Sequence, residues 1–143
     1  MLAPVKRLAL LGVLVVCALA ACGGGSGGSS STAQIKSAYA TFFSGKSTVP
    51  QRVAVLQDGS RFQSVVQSFA SNPAAKNVTV DVSSVTLEGA NKAKVVYAVK
   101  LAGASLPKQT GTAVRQNGKW KVGYPSLCRL VALSGSTPSA CKS

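Results

Sequence analysis

The stretch Asn77–Leu101, NVTVDVSSVTLEGANKAKVVYAVKL, changes the period of the chain. Before it, apolar residues recur every three or four positions; within it they alternate. Val78, Val80 and Val82 alternate with Thr79, Asp81 and Ser83, and Val85 and Leu87 continue in the opposite phase. A period of two marks a strand with one buried face. The single phase slip at Ser83-Ser84 is what a β-bulge produces. Glu88-Gly89-Ala90-Asn91 reads as a turn. Lys92–Ala102 then carries Ala93, Val95, Tyr97, Val99 and Leu101 on one face, with Val96 and Ala98 apolar on the other. A strand apolar on both faces belongs in the middle of its sheet.

Downstream, Gly103-Ala104 turns the chain, and Ser105–Gln116 reads as a third strand with Pro107 near its start. Asn117-Gly118 is the strongest hairpin signal in the chain. Lys119–Tyr124 follows as a fourth strand, with Trp120, Val122 and Tyr124 on one face. Pro125-Ser126 breaks it, and Ser126 is placed to cap a short last helix running through Leu133 to Gly135. Upstream, Thr32–Ser44 spaces Ile35, Tyr39, Phe42 and Phe43 for an amphipathic helix capped by Ser31 or Thr32. Ser47 or Thr48 starts a second helix with Pro50 in its first turn and Val53 and Leu56 buried, ending at Asp58-Gly59. Ser60 starts a third, with Phe62, Val65, Val66 and Phe69 on one side, ended by Asn72-Pro73. The fold class is α+β: helices packed on one face of a curved four-strand antiparallel meander, closed by a short helix.

The first residues belong to a different kind of segment. Lys6 and Arg7 precede an apolar run from Leu8 to Ala18, and small residues follow. That order reads as an export signal, and the run is too short to span a bilayer core comfortably. Leu19-Ala20-Ala21-Cys22 matches the bacterial lipobox. The match implies a diacylglycerol on the Cys22 thiol, cleavage after Ala21, and acyl chains such as palmitate in the membrane, where two or three hold stably and one does not. The other reading is an ordinary signal peptide cut at Ala-x-Ala, with Cys22 free or removed. Gly23–Ser31 contains only glycine and serine and reads as a flexible tether of about 17 Å. The expected organisation is 1–21 signal peptide, 22–31 tether and 32–143 a single domain, held at the outer face of the cell membrane.

Four cysteines then resolve by subtraction. Cys17 leaves with the signal and Cys22 carries lipid, so Cys128 and Cys141 remain in an oxidising compartment, and a bridge between them is expected. It would pin the C-terminal tail to the body at a gain of about 3 kcal/mol in the chain-entropy model. A zinc site fails, because the chain has no histidine and two thiolates do not fill a tetrahedral shell.

The composition is 46% apolar, with sixteen Lys+Arg against three Asp+Glu, a formal +13. Such a balance suits anionic surfaces or polymers. Export argues against nucleic acid, and the chain has neither a basic arm nor an Arg-aromatic stacking pattern. The acidic inventory is thin. Glu88 lies in a turn, Asp58 precedes Gly59, and Asp81 shares the solvent phase of its strand. Serine lacks a histidine base. No catalytic residue, metal or cofactor is expected, and Tyr39, Phe42, Phe43, Phe62, Phe69, Tyr97 and Trp120 stand as candidate lining for any pocket between helices and sheet.

Four stretches carry a family resemblance: YATFFSG at 39–45, LQDGSRF at 56–62, GTAVRQNGKWKV at 111–122 and SLCRLVALSGSTPSAC at 126–141. Together they resemble the C-terminal domain of the mycobacterial low-molecular-weight secreted antigen family, found in actinobacterial exported proteins and lipoproteins. The resemblance implies a cone like that of nuclear-transport-factor-2-like and cystatin-like folds, export, the Cys128–Cys141 disulfide, and immunogenicity in pathogenic relatives. It brings no catalytic set. The expected function is therefore a non-catalytic, lipid-anchored envelope protein, a monomer meeting anionic envelope polymers or lipids. The alternative is a carrier of a small apolar ligand in the cone.

Overall fold

The computed structural model describes residues 26–142; the expected signal peptide, Cys22 and the first part of the expected tether lie outside them. The alternating stretch forms two long strands, β1 (Val78–Leu87) and β2 (Lys92–Leu101), paired antiparallel. Their register shifts between Val82 and Ser84, at the phase slip, and Ser83 Oγ donates to the carbonyl of Val96 at 3.2 Å. β2 is central as its two apolar faces require: it lies between β1 and β4 (Gln109–Gln116), and β5 (Lys119–Val122) extends the sheet beyond β4. Asn117 and Gly118 both have positive φ, 53° and 75°, the geometry of the expected two-residue hairpin.

The third strand differs from expectation. It is split into β3 (Ala104–Ser105), paired with the end of β2, and β4. Pro107 has no N–H to give the ladder, and the chain breaks there before pairing resumes. The fourth strand ends at Val122, and Tyr124 instead begins α4 (Tyr124–Ala132), with its ring stacked on Phe62 at 5.2 Å. Gly123, not Ser126, occupies the cap position, because Pro125 fits the first helical turn and draws the start of the helix ahead of it.

Helix α1 (Ser26–Phe43) lies in the concavity of the sheet, with Ile35, Tyr39, Phe42 and Phe43 fully buried. It begins inside the glycine-serine run, so the tether expected through Ser31 is helical from Ser26. Once the aromatic half is docked, each residue added at the N-terminus costs only propagation, and Gln34 Nε2 donates to Ser30 Oγ at 3.3 Å. Helix α2 (Val49–Ala54) is opened by a Thr48–Gln51 capping box. Leu56 then bridges to Val122, and Gln57 donates its N–H to the Val122 carbonyl at 2.8 Å, covering the edge of β5. A short 3-10 turn at 59–62 leads into α3 (Gln63–Ser71), with Val65 and Val66 buried. The result is an α+β half-barrel, consistent with the cone the resemblance implied.

After α4 the tail runs back along the body and is fixed by a Cys128–Cys141 disulfide, Cα–Cα 5.6 Å. Among the described residues, no helix is long and apolar enough to cross a membrane.

Candidate functional site

The inside of the cone is closed. Tyr39, Phe42, Phe43, Phe62, Tyr97 and Trp120 are each 5% exposed or less and pack on one another, Phe42 edge-on to Phe43 at 5.0 Å and Tyr39 against Tyr97 at 5.1 Å. Six of the seven candidate lining residues are therefore core. Phe69, half-buried on the last turns of α3, is the exception, and it borders a cavity that sequence reasoning did not locate.

That cavity, about 560 Å³, opens where the helices, the sheet and the tail meet. Val65 and Phe69 of α3 form one wall, continued by Ala75. Val78, Val99 and Leu101 of β1 and β2 form the floor, with Leu106 beside them. Leu130 and Val131 of α4 form the opposite wall. Leu133, Ser134, Ser136 and Pro138, inside the disulfide-closed loop, complete it. The volume falls within the ~300–1,000 Å³ of ordinary ligand sites. Its polar lining residues are Ser64, Ser68, Asn72, Ser134 and Ser136, and none of the residues lining it is charged. Leu133 is 61% exposed, which leaves an apolar side chain in water at the mouth.

Beside this cavity, and sharing Val78 with it, lies a groove of about 670 Å³ bordered by Lys46, Lys76 and Lys100, with Ser44, Gly45, Asn77 and Thr79 between them. Both sites sit at the Val78–Leu101 end of the sheet. The N-terminal end of α1 lies at the other end, where a Cβ on Gly28 would be 4.0 Å from Leu87 Cδ1. The 18 residues of α1 separate the two ends by about 27 Å.

A polar joint closes the other side of the core. Tyr39 Oη donates to the Thr112 carbonyl at 2.8 Å and contacts Ser126 Oγ at 3.2 Å. Burial pushes the Tyr39 phenol far above its ordinary range, against a smaller opposing effect of the Ser126 hydrogen bond, and raises Tyr97 in the same way. These tyrosines stay neutral and serve as hydrogen-bonding core. The joint fits because residue 111 is glycine: a Cβ there would run into Ser126 Oγ and come within 2.7 Å of Tyr39 Oη.

The carboxylates are elsewhere. Asp58, in a left-handed turn, accepts from Gln116 Nε2 at 2.7 Å. Asp81 is exposed, and Glu88 lies 3.8 Å from Lys92. Among the described residues, no group of three or more His, Cys, Asp or Glu is placed to hold a metal.

One buried cation was not foreseen. Arg52 is 1% exposed; its Nη2 donates to the Ser44 carbonyl at 2.7 Å, and its Nε and Nη1 have no partner. Its guanidinium lies 5.2 Å over the Phe69 ring. Burial lowers its pKa. Nothing in the sequence VPQRVA distinguishes it from a surface arginine, since arginines are mostly exposed.

Residues 29–138 match a family model described as low molecular weight antigen MTB12, C-terminal domain. Searches of curated proteins and of solved structures returned no match.

Proposed function

The chain belongs to the low molecular weight antigen MTB12 C-terminal domain family, and from that premise we propose that it is an exported, non-catalytic binding protein of the cell envelope. It is anchored by lipid on Cys22 and holds an apolar ligand in the cavity between α3, β2 and α4. The observation that carries this reading is the cavity itself: about 560 Å³, walled by aliphatic side chains from four separate segments, with an uncharged lining. A closed core with no opening at this end would have argued for a purely structural domain.

Anchoring gives the cavity a direction. Three residues, Gly23 to Gly25, separate Cys22 from Ser26, a reach of about 14 Å at most over the four Cα-to-Cα steps, so the anchored end of α1 stays near the membrane. The cavity lies at the far end of that helix and faces the envelope. The carboxylates argue against catalysis, because Asp58 is engaged by Gln116, Asp81 is exposed and Glu88 is beside Lys92. The buried tyrosines are too hard to ionise to act as bases.

Two measurements test this. Cys22→Ala should move the protein from the membrane fraction to the soluble one; unchanged retention removes the anchor. Native mass spectrometry of the exported protein should find an apolar molecule bound, or uptake of an apolar fluorescent probe; neither appearing removes the cavity reading. The groove of Lys46, Lys76 and Lys100 favours a second reading, in which the domain meets anionic envelope polymers or lipid head groups. Retention on such a polymer that weakens with salt, with no uptake of the apolar probe, would select it.

A further inference from the structure

Arg52 has five N–H donors, yet only Nη2 has a partner. A guanidinium that is 1% exposed and faces no carboxylate is costly to bury. The chain's few acids do not relieve it, since Asp58 and Glu88 are held by other residues and Asp81 lies exposed on β1. Stacking on Phe69 offsets part of the cost. Unpartnered buried donors of this kind call for an explanation.

Phe69 supplies one, because the same ring stands against Arg52 and borders the apolar cavity. Arg52 does not itself line the cavity, but its guanidinium lies 5.2 Å from the ring of a residue that does. We propose that the natural ligand is a long-chain carboxylate, bound acid end inward, with its carboxylate accepting hydrogen bonds from the free Arg52 donors once the Phe69 ring turns aside. The proposal rests on the cavity reading above and names the ligand class for it. A carboxylate matches the planar fork of a guanidinium. It is compact and singly charged, as passage along an uncharged cavity requires. The Ser68 hydroxyl and the Asn72 amide line the same wall as Phe69 and give the acid group polar neighbours on the way in.

The test is titration of the full chain with a fluorescent polyene fatty acid and, separately, with its methyl ester, which keeps the chain and removes the charge. The acid should bind about tenfold tighter or more, the increment of a charge-assisted hydrogen bond. In Arg52→Met the acid's affinity should fall to that of the ester. The melting temperature of this variant should be unchanged or higher, because an unpaired buried charge has been removed. A purely structural arginine predicts the reverse: a lower melting temperature and an acid-to-ester ratio unchanged from wild type. If the variant does not fold, the ratio in the unaltered chain decides. Equal affinities for acid and ester overturn the proposal and leave the cavity reading standing, whereas failure of both to bind overturns the cavity reading itself.

Discussion

Gly111→Ala adds one methyl group to the middle of β4, opposite Val95. The new Cβ would collide with Ser126 Oγ and come within 2.7 Å of Tyr39 Oη and 2.9 Å of Tyr97 Cε1. None of the three side chains is more than 2% exposed, so none can swing into solvent. Overpacking of this kind costs about 1–3 kcal/mol, and displacing Ser126 forfeits its contact with Tyr39, about 1 kcal/mol more. Alanine's lower backbone entropy in the unfolded chain returns about 0.5 kcal/mol. The expected loss is therefore about 2–3 kcal/mol, a fall in melting temperature of roughly 10 °C for a domain of this size. Urea unfolding followed by circular dichroism measures it. Ser126→Ala removes the nearest clashing atom, so the double variant should be at least about 1 kcal/mol more stable than the two single losses imply. A Gly111→Ala variant within about 0.5 kcal/mol of wild type, or a strictly additive pair, would refute the packing of α1 and α4 against β4 described above.

Two further outcomes are expected. Replacing Cys128 and Cys141 by alanine should cost about 3 kcal/mol in urea unfolding. Because Leu133, Ser134, Ser136 and Pro138 lie within the loop that this bond closes, uptake of an apolar probe should weaken even under conditions where the domain remains folded. Alkaline stability should follow the buried tyrosines. Tyr39 and Tyr97 keep their protons in the folded state when the unfolded chain loses its own, so stability stays level below about pH 10 and falls above it. Each contributes up to about 1.4 kcal/mol per pH unit, and Tyr39→Phe should flatten the fall; an unchanged slope in that variant would contradict the burial assigned to it.

Features whose cause is local were legible in the sequence. The alternation of Val78–Val82, its slip at Ser83-Ser84, the Asn117-Gly118 turn and the doubly apolar β2 each follow from the period of strands and the needs of turns, and each appears in place. The helical aromatic spacing from Ile35 to Phe43 likewise named the buried face of α1. Features whose cause is tertiary were not legible. The cavity is walled by Phe69, Val99, Leu106, Leu130 and Pro138, far apart in sequence, and each reads as an ordinary core or loop residue. Arg52 is buried by what packs over it, not by anything in its own helix. Gly111 carried a weak signal, since a lone glycine within a strand often marks a close approach, but only the fold identifies Ser126 and Tyr39 as the groups approaching. Ser126 itself has the composition of a cap and serves as core, because Pro125 moved the helix start to Gly123.

The claim that the end of the cone farthest from the N-terminus of α1 is a ligand site is tested most directly by filling it. Val131 projects from α4 into the cavity wall and is half-buried, so Val131→Trp adds volume there without disturbing the closed core. Wild-type protein should bind an apolar fluorescent probe at one site, and the variant should bind about tenfold more weakly or worse at an essentially unchanged melting temperature. Equal affinity in the two proteins would place the probe elsewhere and contradict the account.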